Sequence, residues 1–404
     1  VQTNSPLLTY LKQLRRAIHQ QPELSFKEYA TGELIRKELD RLEISHSQIA
    51  RTGVRAVIEG TACKPGCGKQ QQPVVALRAD MDALPIKEKT GLSFASQASG
   101  VMHACGHDGH VAMLLGAARI LREAEFYGTV VLLFQPAEET ASGADLVVTE
   151  GGLQGVDMIF GGHIDTHFAT GTFTVDEGLI CSYADPFIIR IHGRGGHAAR
   201  PHEAIDSVVL ASTLVMNMQT LVSRQINPTH AAVVTVGRME AGTVLNAIAE
   251  DAIMEGTIRS AHPETRNKLR AALRRLILGV KDMSNAAIDL EFLDGLPAVI
   301  NDPRSTGIAR AAAARIVGEK YVTSQGAPSL GGEDFAFYQQ QIPGCMIRFG
   351  AQTSGDQVGP AHSGRYDFDE AVLELGARWL ATVALEGLSH LGEHADQKSR
   401  HGTD

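Results

Sequence analysis

Leu8, Leu11, Leu14 and Ile18 fall on one side of a helical wheel over residues 7–19, and Leu34, Ile35, Leu39 and Leu42 repeat that spacing over 27–42. Apolar positions three and four apart mark helices that bury one stripe. Gln21-Pro22 separates them, because proline has no N–H to donate and ends a helix. Continuous apolar runs follow at 54–58, 74–77 and 130–134, with a helical pattern over 111–123 between the last two, and another run at 158–163. Runs of this kind suit strands covered on both faces. Their alternation with helices predicts an α/β fold built on a mixed, mainly parallel sheet flanked by helices.

The rhythm changes near residue 183. A strand at 186–191 leads to a glycine-rich turn at 193–196, a helix over 204–221, strands at 231–236 and 252–258, a helix over 264–280 and a strand at 287–292. That order predicts an inserted α+β, ferredoxin-like domain of the split βαβ kind. Segments 176–185 and 293–302 are the expected crossings. The first pattern then resumes with a helix over 305–319, a strand at 346–349 and a helix over 370–385. The expected organisation is therefore residues 1–182 and 295–388 as one domain, 183–294 as the insertion, and 389–404 as a frayed polar tail.

The length of 404 residues agrees with more than one core, since single cores stop growing at roughly 250–300 residues. A formal net charge of −9 disfavours nucleic acid as a partner, because nothing supplies a basic phosphate footprint. No apolar run is long enough for a membrane span, and the opening VQTNSPLLTYLKQLRR shows no basic leader followed by an apolar stretch. Five cysteines form no disulfide framework, so reduced thiols and a cytoplasmic location are expected. Cys63 and Cys67 lie in the polar stretch CKPGCGKQQQ, which reads as an exposed loop insertion, with a metal or redox role as the lesser alternative.

Candidate chemistry is densest in HACGHDGH, where His103, Cys105, His107, Asp108 and His110 crowd the approach to a helix. Thiolate, imidazole and carboxylate are the usual ligands of Zn²⁺ and related divalent ions. The competing reading is a polar loop that caps the helix. Other candidates sit where strands end: Asp80 and Asp82 in RADMDALP, Glu138 and Glu139 in FQPAEE, and His163 after Gly161-Gly162. Ligands of open α/β sheets gather at the carboxyl ends of strands. Of two adjacent glutamates there, one can bind a metal while the other accepts a proton from water.

These motifs, with the distal SLGGEDFAFY and PAHS, resemble the co-catalytic metallopeptidase family of aminoacylases and carboxypeptidases. Within it the chain is most similar to the amidohydrolase branch, which includes hippurate hydrolases, auxin–amino acid conjugate hydrolases, N-acetyl-cysteine and N-acetyl-diaminopimelate deacetylases and aminobenzoyl-glutamate hydrolase. The match runs from Arg15 to Glu370. It implies two divalent ions (Mn²⁺, Zn²⁺, Ni²⁺ or Co²⁺) held by Cys105, His107, Glu139, His163 and His362, with Glu138 as general base and Asp82 orienting a ligand from behind. It further implies that the insertion is a lid that dimerises. His197 of the GRGGHAARP segment would polarise the scissile carbonyl, and Asn246 and Arg259 would hold the substrate carboxylate. Arg suits that task because its fork binds a carboxylate at two points.

The implied reaction is hydrolysis of the amide bond of a small N-acyl-amino acid. A dipeptidase or carboxypeptidase with the same ions is the nearest alternative, and a catalytically silent binding protein on this scaffold is a further one. A nucleotide site fits poorly because GRGGH is not G-x-G-x-x-G within a βαβ unit, and the G-x-S-x-G elbow of serine hydrolases is missing. The segment after His163, IDTHFATGT, lacks the proline common among relatives, so the implied substrate carries over less firmly than the chemistry.

Overall fold

Side chains of the amphipathic stripes and the apolar runs meet in one core, in which Leu11, Ile35, Leu77, Leu114, Phe134, Phe160 and Trp379 are almost wholly buried. A computed structural model describes residues 5–62, 72–353 and 358–401. Cys63 and Cys67 lie outside the described residues. The chain forms two compact units, Val1–Gly178 with Ile300–Gly326 and Asp334–Asp404, and Leu179–Val299 with Ala327–Glu333.

The first unit is a mixed α/β layer structure around an eight-stranded sheet. Its strands lie in the order Ser45–Ile49, Gly53–Glu59, Thr129–Gln135, Val74–Asp80, Met158–Ala169, Gly344–Gln352, Phe173–Thr174 and Val322–Thr323. The four central strands run parallel, Thr129–Gln135 beside Val74–Asp80, then Met158–Ala169, then Gly344–Gln352. Gly53–Glu59 and Ser45–Ile49 are antiparallel additions at one side. Parallel central strands put their carboxyl ends along one edge, which is where side chains for chemistry collect.

The helix Pro6–Gln20 starts where expected. Ser5 accepts the Leu8 N–H at 3.0 Å, and Pro6 fills a position whose N–H needs no partner. It packs on the helix His107–Arg122, which also packs on the long helix Val372–His401. The indole N–H of buried Trp379 donates to the Ala309 carbonyl, tying that long helix to Pro303–Val317.

The second unit is an antiparallel sheet in the order Ala232–Ala241, Asp251–Ser260, Tyr183–His192, Ala287–Phe292. Helices Ser207–Gln225 and Pro263–Ser284 pack together against it over a separate core containing Phe187, Ile189, Leu214, Met254, Leu273 and Ile277. Asp206 caps the first of these helices by accepting the Val208 and Val209 N–H groups.

Several elements differ from their patterns. The helix expected from residue 111 begins at His107, because the positive φ of 92° at Gly106 turns the chain and Asp108 satisfies the Gly109 N–H in the first turn. The strand Met158–Ala169 continues past His163. Ala327–Glu333 joins the second unit, where Ser329 bridges Cys181. The polar composition after Ser389 suggests an open tail, but the last helix continues to His401.

Candidate metal centre

The first unit brings together side chains that are widely spaced in the chain. Cys105, His107 and His163 place their ligand atoms within 4.8 Å of one another, as do Cys105, Glu139 and His362, and as do His107, Glu138 and Glu139. Cys105 and His107 come from the turn into the His107 helix. Glu138 and Glu139 follow the strand Thr129–Gln135, and His163 projects from the strand Met158–Ala169. Cys105 Sγ lies 3.4 Å from His163 Nε2, and His362 Nε2 lies 3.4 Å from Glu139 Oε1. His362 is held by its own N–H donating to the Ala104 carbonyl at 2.8 Å, in a left-handed conformation with φ of 65°. Ala137, just before the glutamates, is also left-handed, with φ of 54°. Two such non-glycine residues flanking one pocket are the kind of strain that a packed site sustains.

Hydrogen bonds determine which nitrogens face the pocket. His107 Nδ1 contacts the Asp82 carbonyl at 3.0 Å and Asp82 Oδ1 at 3.3 Å. Both partners are acceptors, so the ring proton sits on Nδ1 and Nε2 keeps its lone pair. His163 Nδ1 likewise donates to the Ile164 carbonyl at 2.6 Å, leaving Nε2 toward Cys105. Asp82 also takes the backbone N–H groups of Glu138 and Glu139, each at 3.1 Å, and the Ser25 hydroxyl at 2.7 Å.

The residues present fit a pair of divalent cations. His107 Nε2 and Glu139 Oε1 are buried without a hydrogen-bond partner, and an orphaned lone pair of this kind costs free energy unless a cation or donor meets it. The donor set of thiol, imidazoles and carboxylate is that of transition-metal sites. Burial pushes the Cys105 thiol up to about 12, so a thiolate there needs a cation beside it.

His197, Asn246 and Arg259 belong to the second unit. His197 lies on a short exposed ribbon in which Gly196–His197 pairs with Ala247–Ile248, and the Ala198 N–H donates to the Asn246 carbonyl at 3.2 Å. His197 Nδ1 accepts the Ala199 N–H at 3.0 Å, which leaves Nε2 as a hydrogen-bond donor. Arg259 sits on the strand Asp251–Ser260, half-buried, and burial lowers its pKa.

The structure also points to supporting residues that sequence reasoning left without a role. Glu28 is buried and accepts the Ala137 N–H at 2.9 Å and the Thr52 hydroxyl at 2.5 Å. Asp334 accepts from Arg78, from the Gln135 side chain and from the Ala144 N–H. Asp334 stands in a motif that carried the family resemblance, whereas Glu28, at the start of an amphipathic helix, looks like an ordinary surface acid.

A model of Peptidase family M20/M25/M40 matches residues 76–386. The chain belongs to this family. It is a hydrolase of amide bonds. It is 40% identical over 381 residues to an N-acetylcysteine deacetylase of Bacillus subtilis (strain 168), covering 93% of this chain and 96% of that one. It is 37% identical over 387 residues to thermostable carboxypeptidase 1 of Saccharolobus solfataricus, with 93% and 95% covered. A crystal structure of a Bacillus subtilis dinuclear metal-binding peptidase of the M20 family shares its fold with a TM-score of 0.81 at 37% identity, over 95% of this chain and 98% of that one.

Proposed function

We propose that this member of the family hydrolyses the amide bond of small N-acyl-amino acids, using two divalent ions held by Cys105, His107, Glu139, His163 and His362. The observation that carries the reading is the gathering of these five donors and Glu138 in overlapping clusters. Mn²⁺, Zn²⁺, Ni²⁺ and Co²⁺ all suit the donors. When bound, such ions polarise a carbonyl oxygen and lower the pKa of water.

Glu138 is the general base: it accepts the proton of the water that attacks the carbonyl carbon and returns it to the amine as the C–N bond breaks. Asp82 holds the N–H groups of both glutamates, so base and ligand keep a constant spacing. His197 has its Nε2–H available to donate to the carbonyl oxygen as negative charge develops there. Arg259 and Asn246 hold the free carboxylate of the amino acid, the arginine at two points.

The relatives support both an acyl-amino acid and a peptide reading, through a deacetylase and a carboxypeptidase. A metal-reconstituted screen of acetyl, benzoyl, indole-acetyl and longer acyl amino acids against dipeptides separates them, and a preference for dipeptides would replace the first by the second. In the same assay Glu138→Ala lowers kcat by several orders of magnitude with ion content unchanged, since a positioned general base contributes on the order of 10²–10⁴-fold. Undiminished turnover removes Glu138 as the base.

The second unit pairs with its copy in a homodimer. Val208, Val209, Met216, Val233 and Met239 are exposed along the helix Ser207–Gln225 and the edge strand Ala232–Ala241, which supports a covered surface. A single-copy mass in sedimentation velocity would overturn this. A cytoplasmic location rests on the cysteines: Cys105 and Cys345 are buried free thiols. Among the described residues no helix is long and apolar enough to cross a membrane. Fractionation that recovers the chain outside the cytoplasm would overturn the location.

A further inference from the structure

His110 and Asp80 stand outside the proposed ligand set, yet both are buried against it. His110 Nδ1 lies 2.5 Å from Asp80 Oδ1, and His110 Nε2 lies 2.8 Å from the backbone nitrogen of Ile164. A backbone N–H can only donate, so Nε2 carries a lone pair and the ring proton sits on Nδ1, directed at Asp80. Asp80 is anchored in turn through its other oxygen, which takes Arg78 Nη1 at 2.7 Å.

The Ile164 N–H belongs to the peptide bond that joins it to His163. The Ile164 carbonyl accepts from His163 Nδ1 at 2.6 Å. Ile164 is therefore gripped at its nitrogen by His110 and at its oxygen by His163. That grip turns His163 Nε2 toward Cys105 Sγ. Gly109 permits the close approach, because a Cβ there would lie 2.6 Å from Ile164 Cδ1.

We infer that His110, braced by Asp80, is a positioning residue that fixes the His163–Ile164 peptide so that His163 presents Nε2 to a divalent ion. The inference rests on the metal-dependent reading above. The alternative is a core histidine that satisfies its own hydrogen bonds and does nothing for the ion.

Two measurements on the full chain decide between them. Proton–nitrogen spectra of the ¹⁵N-histidine-labelled chain, recorded without added ions, report the His110 tautomer. The expected form has its proton on Nδ1, and a proton on Nε2 overturns the inference. Calorimetry of the chelator-stripped chain with Mn²⁺, and separately with Zn²⁺, reports ion affinity. His110→Phe fills the space and deletes both hydrogen bonds, and it weakens binding about 10- to 100-fold, the usual effect of losing a group behind a metal ligand. His110→Gln restores one donor and one acceptor and recovers most of that loss. A purely structural histidine would lower the melting midpoint of the Phe variant and leave its Kd at the wild-type value, and that result overturns the inference. If the Phe variant does not fold, Asp80→Ala, which removes the acceptor of the His110 Nδ1–H, takes its place with the same expected loss and the same overturning result. A wild-type chain that takes up neither ion removes the metal reading and this inference together. Unchanged affinity in the variants removes only this inference.

Discussion

Asp82 offers two carboxylate oxygens and a carbonyl, and four groups converge on them: the His107 ring, the Ser25 hydroxyl and the N–H groups of Glu138 and Glu139. Burial raises the pKa of a carboxyl group, but the hydrogen bonds from His107, Ser25 and the Glu139 backbone prevail and keep Asp82 below its ordinary range. Asp82→Ala leaves those donors unpaired in a buried place, and it frees Glu138 and Glu139 to move independently. The expected result is a loss on the order of 10- to 100-fold in ion affinity or kcat. Steady-state kinetics and ion analysis of the variant check it, and wild-type values in both would show that the turn holds its shape without the carboxylate. The family pattern implied Asp82 behind one ligand. That it also carries the backbone of both glutamates follows from a strand end and a distant turn lying side by side.

At the scale of elements, the turn into the His107–Arg122 helix decides where two donors point. Gly106 has a φ of 92°, and a Cβ there would sit 2.9 Å from the Tyr366 hydroxyl oxygen. Gly106→Ala therefore meets both a backbone penalty of roughly 1–2 kcal/mol and a side-chain collision. Urea unfolding is expected to show a loss of about that size or more, accompanied by weaker ion binding; an unshifted midpoint would mean that the turn relaxes freely. Beside this turn, Arg15 is buried and pairs with Asp108, Asp367 and Glu370, while His19 Nδ1 contacts Asp108 at 2.8 Å. The helical spacing around Arg15 and His19 was legible from Leu8, Leu11, Leu14 and Ile18. What the spacing could not indicate is that two polar residues on that helix are buried as well, because their partners lie elsewhere in the chain. The same limit applies to the start of the His107 helix, where glycine and histidine propensities favour a loop and tertiary contacts prevail.

At the scale of the molecule, the described residues form two separate hydrophobic cores, one in each unit. Ions held at the proposed centre would stabilise the unit that carries the donors, by a term that grows with the logarithm of ion concentration over Kd. Differential scanning calorimetry with and without a chelator is expected to lower one unfolding transition by several degrees and leave the other in place. Equal displacement of both, or of neither, would count against a centre confined to the first unit. The change from strand-helix alternation to an α+β order near residue 183 was visible in the pattern. The membership of Ala327–Glu333 in the second unit was not, because that segment carries no periodic apolar signal and joins through backbone pairing such as Ser329 with Cys181.

From the chain alone one could read the donor types, their order and the amphipathic faces, since these are properties of side chains and of local period. The convergence of Cys105, Glu139, His163 and His362, the tautomers of His107, His110 and His163, and the double duty of Asp82 belong to the tertiary structure. The physical reason is distance along the chain. A hydrogen bond or a shared ligand shell has a reach of a few ångströms, and only the parallel packing of four strands brings those residues within it.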